Sequence, residues 1–353
     1  MIRESIGKLV EGQSLSFEEA REAMGEVMSG GATDTQVGSF LTALRMKGET
    51  IEEISAFALT MREYCHRISP KVKGRLVDTC GTGGDKVDTF NVSTTAAFVV
   101  SGAGVSIAKH GNRSVTSSCG SADVLQRLGL NLAMEPRAVE RSIEEVGVGF
   151  MFAPAFHPAM KNAIGPRREL GIRTVFNVLG PLTNPAGASA QLLGVYDPRL
   201  TEPLAESLGR LGSEEAIVVH GLDGMDEIST LGITRLSWLR DGEVKTIEAM
   251  PKDFGVKLAK PEEIRGAGPE ESAVFTYKIL SDQTGTEDPR TEIVLANSAA
   301  GIVVAGEADD FLCGTELARE SIESGAAYEK LWTLVKVSRG DLSRLEELER
   351  RYG

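Results

Sequence analysis

The chain of 353 residues lacks the features that mark several large protein classes. Its four cysteines are scattered without metal-ligand spacing, at Cys65, Cys80, Cys119 and Cys313. We therefore expect free thiols in a reducing compartment, with a catalytic cysteine as the open alternative. No apolar run approaches the roughly 18 residues that a membrane-spanning helix needs, and no N-terminal segment resembles a signal peptide. These absences predict a cytoplasmic protein with no membrane partner.

Several sequence motifs are also missing. The chain contains no Gly-Lys-Ser or Gly-Lys-Thr, no His-Glu-x-x-His and no Gly-x-Ser-x-Gly, which argues against P-loop nucleotide binding, a zinc enzyme and a serine hydrolase. Basic charge is scarce, because 38 Lys and Arg face 51 Asp and Glu, for a formal net charge of −13. Such a surface repels nucleic acid, so we expect no nucleic-acid partner and a local basic pocket for any anionic substrate.

The chain divides into a helical beginning and a mixed remainder. The first 70 residues contain three candidate capping boxes ahead of apolar residues at helical spacing: Ser16 with Glu19, Thr33 with Gln36 and Thr50 with Glu53. From Arg75 onward, short β-rich runs alternate with helices, which predicts a large α/β domain with a mostly parallel sheet. The breaker-rich stretch 180–185 is predicted to be a loop, and the helical segment with it is either a hinge or a return to the helical layer.

The predicted fold is therefore a small all-helical domain plus a large α/β domain. The helical domain takes residues 1–72 with a returning segment near 160–185, and the α/β domain takes 73–159 and 186–353. A single large α/β unit is the alternative, since 353 residues exceed one ordinary core but do not require two.

A glycine loop and a basic segment carry the strongest chemical signal. The loop Gly81-Thr-Gly-Gly84 follows a strand-like run and precedes a helix that starts near Asn91, and Lys109 and Arg113 follow the next strand-like run. Glycines let backbone N–H groups approach an anion, and a helix N-terminus adds unsatisfied donors. The loop is not a dinucleotide fingerprint, because its spacing differs from Gly-x-Gly-x-x-Gly. A phosphate site is the interpretation that the combination favours over a plain turn.

Two further groups of residues are candidates for binding a metal ion or a substrate. Asp226 and Glu227 follow the predicted strand 216–220, and such carboxylates suit Mg²⁺ bound together with substrate phosphates; a solvated acidic turn is the alternative. His157 and Arg167-Arg168 could reach a carboxylate, while the plain alternative is a helix start with a surface arginine pair.

The order and spacing of these motifs resemble those of the anthranilate phosphoribosyltransferases of tryptophan biosynthesis. The resemblance rests on the segments 78–85, 91–94, 109–113, 120–125, 157–160, 171–177, 180–185 and 226–227, and it covers nearly the whole chain. It implies transfer of the phosphoribosyl group of phosphoribosyl pyrophosphate (PRPP) to the amine of anthranilate, with Mg²⁺ as cofactor. It also implies a homodimer formed through the helical domain.

The resemblance assigns residues to each part of the site. For PRPP these are Gly81, Gly84, Asp85, Thr89, Asn91, Val92, Ser93, Thr94, Lys109, His110, Gly111, Asn112, Arg113, Ser114, Val115, Thr116, Ser117 and Ser121. For anthranilate they are Gly81, Asn112, His157 and Arg167, and for the metal Ser93, Asp226 and Glu227. No acid or base is assigned, because an aryl amine is already neutral near pH 7; His110 and His157 are candidate contributors. No covalent enzyme intermediate is expected.

This chain departs from the family pattern at three positions. Ser118 stands where many relatives carry a basic residue, Cys119 stands where they carry serine, and Gln126, expected to be structural, stands where Glu is frequent. Two other functions remain as alternatives: a pyrimidine nucleoside phosphorylase of the same fold, and a non-catalytic paralogue that binds nucleic acid.

Overall fold

The N-terminal part of the molecule is a bundle of four helices. A computed structural model describes residues 1–84, 87, 89–114, 119–266 and 268–353. The four helices are α1 Ile2–Val10, α2 Phe17–Ser29, α3 Asp34–Lys47 and α4 Ile51–Glu63. Ser16, Thr33 and Thr50 each accept a hydrogen bond from the backbone N–H three residues on, and the Glu or Gln there bonds back to the cap. The three predicted capping boxes are confirmed, and they fix where α2, α3 and α4 begin.

The described residues also form a seven-stranded sheet. The strands are β1 Leu76–Gly81, β2 Ser106–Gly111, β3 Val148–Phe152, β4 Ala190–Gly194, β5 Glu215–Gly221, β6 Thr234–Arg240 and β7 Glu243–Ala249. Their order is β3-β2-β1-β4-β5-β6-β7. The five strands from β3 to β5 are parallel, and β6 and β7 add an antiparallel edge. The predicted fold class, a small helical part with a larger α/β part, is therefore confirmed.

Helices cover both faces of the sheet. They are α5 Val92–Gly102, α6 Ser121–Arg127, α7 Pro136–Val146, α8 Ala153–Phe156, α9 Lys161–Leu170, α10 Phe176–Leu182, α11 Thr201–Arg210, α12 Pro269–Leu280, α13 Pro289–Ala305, α14 Phe311–Glu323, α15 Ala326–Val337 and α16 Ser343–Tyr352. Among the described residues, no helix has the combination of length and apolar character that crossing a membrane requires.

Alternate residues of the central strands enter two different cores. Leu192 and Ile217 face a core that includes α5 and α13, whereas Leu193 and Val218 face a core shared with the four-helix bundle. This follows from the two-residue side-chain period of a strand. One face of the sheet thus shares an apolar core with the bundle, and α11 lies between them, in contact with α4 on one side and with β5 and β6 on the other.

The prediction of a loop over 180–185 is wrong in its first half. Helix α10 continues through Gly180 and Pro181 to Leu182. Leu179 and Leu182 are fully buried, and burial of this apolar face outweighs the low helix propensity of Gly and Pro. Helix α10 contacts α4, and α9 contacts α2 and α3. Both therefore pack on the N-terminal bundle.

Candidate functional site

The strand order creates a crevice at one end of the sheet. The chain runs from β1 through β2 to β3 on one side, and then returns to β4 on the other side of β1. In open α/β sheets, ligands bind at the carboxyl ends of the strands where the order reverses in this way. The glycine loop follows the carboxyl end of β1, and Gly194 ends β4. The predicted phosphate loop therefore lies at the switch point.

The glycine loop is held by backbone contacts. Gly83 and Gly84 adopt left-handed conformations, with φ of 65° and 78°, which suit glycine far better than other residues. The N–H of Thr82 donates to the carbonyl of Gly194 at 2.9 Å. The N–H of Gly83 donates to Oδ2 of Asp226 at 2.8 Å. The loop is thus joined to the strand beside it and to the segment after β5.

The two adjacent carboxylates predicted to bind metal are brought to the loop. Asp226 and Glu227 are each only 8% exposed, and Glu227 Oε1 accepts a hydrogen bond from the N–H of Ser93 at 3.1 Å. A Cβ at Gly194 would lie 1.6 Å from the carbonyl oxygen of Asp226, and one at Gly81 would lie 2.9 Å from its Oδ2. Glycine at both strand ends therefore lets the acidic segment pack on the sheet, which excludes the solvated acidic turn.

The charges of this cluster suit a divalent cation. Burial raises the pKa of Asp226, and the hydrogen bond from Gly83 opposes that rise. No Lys or Arg nitrogen lies within 4 Å of the Asp226 carboxylate among the described residues. Carboxylates and a hydroxyl such as that of Ser93 are ligands that Mg²⁺ accepts, with water and substrate oxygens completing the shell. The described part of the chain holds no group of three or more His, Cys, Asp or Glu that could bind a metal by themselves. The donor set therefore fits a cation shared with a substrate.

Lys109 provides a buried cation on β2. It is 3% exposed, and its Nζ donates to the carbonyl of Thr79 and lies 3.5 Å from the Ser93 hydroxyl. Burial lowers the pKa of Lys109, and the neighbouring Asp78 opposes that change. Burial also raises the pKa of Asp78 to about 6, although Lys109 and a hydrogen bond from Asn184 favour its ionised form. The ammonium therefore points at the start of α5, where Ser93 and Glu227 meet.

The segment after β2 is braced by α6. Arg113 pairs with Asp123 at 2.7 Å and donates to Gln126 Oε1 at 2.8 Å. Asp123 also accepts hydrogen bonds from the N–H groups of Ser114 and Gly120, at 3.1 and 3.0 Å. Sequence reasoning did not assign Asp123 a role, although its place in the Gly-Ser-Ala-Asp segment was a signal. It fixes both ends of the loop that leads into α6.

The remaining residues predicted to bind PRPP differ in their burial and in their hydrogen bonds. Asn91 donates to the carbonyl of Cys119 at 3.2 Å, and its buried Oδ1 has no partner among the described residues. Val92 and Thr94 are buried in α5, so Val92 can contribute only backbone. Three further predicted residues lie at strand or loop positions: Thr89 bridges Arg265, Gly111 ends β2, and Ser121 donates to the carbonyl of Asn112. Asp85, Val115, Thr116 and Ser117, like the departure Ser118, lie outside the described residues.

A second part of the site is aromatic. The imidazoles of His110 and His157 lie with ring centroids 5.0 Å apart. Burial lowers the pKa of His110 to about 3, with His157 adding to the effect, and burial lowers the pKa of His157 to about 4. The Nε2 atoms of both rings are buried and have no hydrogen-bond partner among the described residues. Both rings are therefore neutral near pH 7, with nitrogens left for a ligand or water.

Arg167 is half-buried on α9. Its guanidinium carbon lies 4.9 Å from the ring centroid of Phe176, and it forms no ion pair among the described residues. Burial lowers its pKa. No hydrogen bond or ring contact joins Arg167 or Asn112 to the two histidines in the described part of the chain. The structure thus brings His110 and His157 together, and within the part of the chain that it describes Arg167 is a cation without a carboxylate partner.

Comparison with known proteins identifies the class. Residues 3–65 match the glycosyl transferase family, helical bundle domain, and residues 73–328 match the glycosyl transferase family, a/b domain. The two matches and the fold therefore define a glycosyl transferase built from these two parts.

Similarity to individual proteins narrows the class. The chain is 50% identical to the anthranilate phosphoribosyltransferase of Acetivibrio thermocellus over 97% of its own length and 98% of that protein. The crystal structure of the Thermus thermophilus enzyme is 42% identical, has a TM-score of 0.89, and is matched over 95% of this chain and 99% of its own. The Saccharomyces cerevisiae enzyme in complex with PRPP and Mg is 30% identical with a TM-score of 0.87, over 96% and 98%. The chain belongs to the anthranilate phosphoribosyltransferase family.

Proposed function

We propose that this protein transfers the phosphoribosyl group of PRPP to the amine of anthranilate, giving N-(5-phosphoribosyl)anthranilate and pyrophosphate in tryptophan biosynthesis. The observation that carries the proposal is the buried Asp226-Glu227 pair, which meets the N–H groups of Gly83 and Ser93 at the switch point of the sheet. This is where a diphosphate with its cation would be bound. Membership of the family, and a yeast relative solved with PRPP and Mg, support the same activity.

The pyrophosphate leaving group is assigned to the glycine loop, the start of α5 and Lys109. Cleavage of the ribosyl C1–O bond develops positive charge at C1 and negative charge on the departing pyrophosphate. Lys109 and the first N–H groups of α5 supply fixed positive potential at that position. Burial of Lys109, at 3% exposure, strengthens its field because water screens it less.

Asp226, Glu227 and Ser93 are the residues that would hold Mg²⁺. Their oxygen donors fit that ion, and the raised pKa of Asp226 is the expected consequence of burying a carboxylate, which outweighs the opposing effect of Arg173. When bound, Mg²⁺ would neutralise charge on the diphosphate oxygens. The carboxylates would keep the ion at the loop, so the diphosphate is oriented with the ribose towards the second part of the site.

The anthranilate end is assigned to Arg167, Asn112, His110 and His157, with Gly81 at the floor. Arg167 is a cation without a carboxylate partner among the described residues, and a guanidinium matches a carboxylate in a two-bond geometry. His110 and His157 offer buried nitrogens and ring faces to an aromatic amine. The yeast relative has also been solved in complex with 4-fluoroanthranilate.

The reaction is proposed to need little acid-base catalysis. Burial lowers the pKa of His110 to about 3, so near pH 7 the ring is neutral, without an acidic imidazolium proton, and is too weak a base to be effective. The amine of anthranilate is neutral at this pH and can attack C1 directly. Orientation of the two substrates then provides most of the acceleration, without a covalent enzyme intermediate. A large loss of turnover in His110→Ala, with both substrates still bound, would contradict this part.

The proposal includes a cytoplasmic homodimer formed through the helical bundle. A groove between α1, α3 and α9 is lined by residues that include Val10, Gly38, Ala43, Met46 and Leu170. Val10 and Met46, which are 69% and 83% exposed, line this same groove. Exposed apolar side chains that lie together in this way mark surfaces that bind another protein. Light scattering on Met46→Glu, with wild type as reference, tests this: a monomer is expected, and an unchanged mass contradicts this interface.

The activity is tested by the fluorescence of anthranilate. PRPP with Mg²⁺ should cause a loss of fluorescence that depends on enzyme concentration, and omission of either should prevent it. In parallel, the protein is incubated with pyrimidine nucleosides and inorganic phosphate without Mg²⁺. Phosphorolysis in that arm, without any reaction of anthranilate, would replace the proposal by the nucleoside phosphorylase alternative. Salt-sensitive DNA binding in place of both activities would favour the paralogue.

The metal assignment has its own test. Asp226→Asn with Glu227→Gln should abolish the normal Mg²⁺ response of PRPP binding, because both buried oxygen ligands lose their charge. The matched control is Glu346→Gln with Glu347→Gln, which changes two exposed carboxylates that follow each other in α16. This control should leave the Mg²⁺ response of PRPP binding unchanged. An unaltered Mg²⁺ dependence in the Asp226→Asn, Glu227→Gln variant would contradict the assignment of these residues to Mg²⁺.

A further inference from the structure

Arg173 contacts the glycine loop from outside the predicted site. It lies in the segment between α9 and α10, and its Nη2 donates to the carbonyl of Gly84 at 2.7 Å. Its guanidinium carbon lies 4.1 Å from the ring centroid of Tyr196, just after β4. The same side chain therefore joins three separate segments: the glycine loop, the connection between α9 and α10, and the end of β4.

Glycine at position 84 leaves room for this contact. A Cβ there would lie 2.7 Å from Nη2 of Arg173, and the φ of 78° disfavours any other residue. The loop that binds an anion through its N–H groups thus also presents one carbonyl to a cation on its opposite side. The positive φ gives Gly84 a reason to be glycine that is independent of any ligand.

Tyr196 takes part in the same arrangement twice. Its ring lies beside the guanidinium of Arg173, and its N–H donates to the hydroxyl of Thr82 at 3.1 Å. Since Gly83 donates to Asp226, consecutive loop residues are each bonded to a different element. Arg173 closes this set at the third residue, where the described part of the loop ends.

We infer that Arg173 is a positioning residue that sets the orientation of the glycine loop and couples it to the segment joining α9 and α10. The inference rests on the proposed role of that loop in binding the diphosphate of PRPP. Because α9 and α10 pack on the helical bundle, a shift of the bundle against the sheet would move Gly84 through this residue. Arg173 acts on the substrate through the loop. Tyr196 restricts the position of the Arg173 guanidinium by packing its ring against it.

The test compares Arg173→Gln and Tyr196→Leu with their double variant. Each single variant should raise KM for PRPP roughly fivefold to tenfold, from loss of one charged hydrogen bond or one cation–π contact, and leave KM for anthranilate within about twofold. The double variant should be no worse than Arg173→Gln alone. Tyr196→Phe keeps the ring and should behave as wild type. Arg141→Gln, an exposed arginine on α7 with no role in the site, is the matched control.

Hydrogen–deuterium exchange provides a readout that does not need turnover. In the ligand-free protein, peptides covering Cys80 to Gly84 should exchange faster in Arg173→Gln and in Tyr196→Leu, but not in Arg141→Gln. If wild type fails to turn over PRPP, the proposed function fails, and the exchange result alone decides on Arg173. Unchanged exchange overturns the inference. Full activity of Arg173→Lys together with harmless Tyr196→Leu also overturns it, because Arg173 would then act by its charge on the substrate.

Discussion

The two ends of the crevice differ in how their polar groups are satisfied. At the end proposed to bind the diphosphate, called here the diphosphate end, the groups bond to each other: Gly83 to Asp226, Ser93 to Glu227, and Lys109 to Thr79. At the aromatic end, the Nε2 atoms of His110 and His157 are buried without a described partner, and Arg167 pairs with no carboxylate in the described chain.

This difference separates two ways of preparing a site. A highly charged ligand such as a diphosphate can replace internal bonds at one end, because its charge outweighs what is exchanged and the donors are already aimed. A small aromatic acid gains less from each contact, so the other end leaves its nitrogens and guanidinium without competing partners. Buried polar groups without partners raise the free energy of the ligand-free protein. A ligand that supplies those partners removes this cost, and the gain contributes to its binding free energy.

The largest effect is expected where the diphosphate end is built on a strand end. Gly194→Ala would place a methyl group 1.6 Å from the carbonyl oxygen of Asp226, so the acidic segment must move away from the glycine loop. We expect loss of measurable PRPP binding and a stability cost of about 1–3 kcal/mol or more. Calorimetric titration and thermal unfolding measure the two. Gly180→Ala, where a Cβ meets nothing within 4 Å, is the control, and equal effects in both variants would contradict the packing argument.

Lys109→Met tests whether the diphosphate end depends on its internal cation. The change removes the nearby ammonium whose charge favours the ionised form of the buried Asp78, so the free energy of unfolding should fall. It also removes a fixed charge from the transition state, so kcat should fall roughly 10²-fold to 10³-fold. Urea unfolding and the fluorescence assay give both numbers. Exposed Lys161→Met should change neither, and a stable, active Lys109→Met would refute the role.

The aromatic end should be visible as a pH dependence of stability. The folded-state pKa values of His110 and His157, about 3 and about 4, lie below an unfolded value of about 6.5, so the unfolded chain binds more protons between these limits. The free energy of unfolding should therefore fall as pH drops below about 6.5, by about 2 kcal/mol per histidine at pH 5.

Asp78 acts in the opposite direction, since its raised pKa of about 6 makes the folded state bind more protons between roughly pH 4 and 6. Comparison of wild type with His110→Asn by urea unfolding at pH 7.5 and pH 5 isolates the histidine. The variant should lose less stability on acidification. Parallel curves for the two proteins would show that His110 is not buried in its neutral form.

The smallest effect is expected at the edge of the diphosphate end. Gln126 holds the exposed Arg113 through one hydrogen bond, and Arg113 keeps its bond to Asp123 without it. Gln126→Ala should cost about 0.5 kcal/mol of stability and change KM for PRPP by no more than about twofold. Steady-state kinetics measures this. A loss above tenfold would mean that Arg113 is positioned far more critically than its exposure implies.

Local chemistry made part of this molecule predictable. The capping boxes at Ser16, Thr33 and Thr50 specify helix starts within four residues each, and the structure has them there. The strands β3 and β4 went unrecognised because each is only five residues long and buried, with no alternation of polar and apolar residues. Helix α10 was missed because Gly180 and Pro181 are locally unfavourable, and only burial against α4 explains them.

In the site, too, some features could be predicted from local sequence and others depend on tertiary packing. The glycine loop and the Asp226-Glu227 pair were each recognisable, but their contact joins residues 143 positions apart and depends on Gly194 at the end of a strand that had not been recognised. Asp123 and Arg173 act through other residues, and such roles leave no motif of their own in a single sequence. The distribution of satisfied and unsatisfied nitrogens between the two ends follows from packing alone.

The central claim is that one crevice has two chemically separate ends, and paired calorimetric titrations of Arg167→Gln and Asp226→Asn test it most directly. Arg167→Gln should weaken anthranilate binding roughly tenfold and leave PRPP with Mg²⁺ within about twofold of wild type, because only the carboxylate partner is lost. Asp226→Asn should show the reverse pattern. If both variants weaken both substrates equally, the two ends do not exist as described.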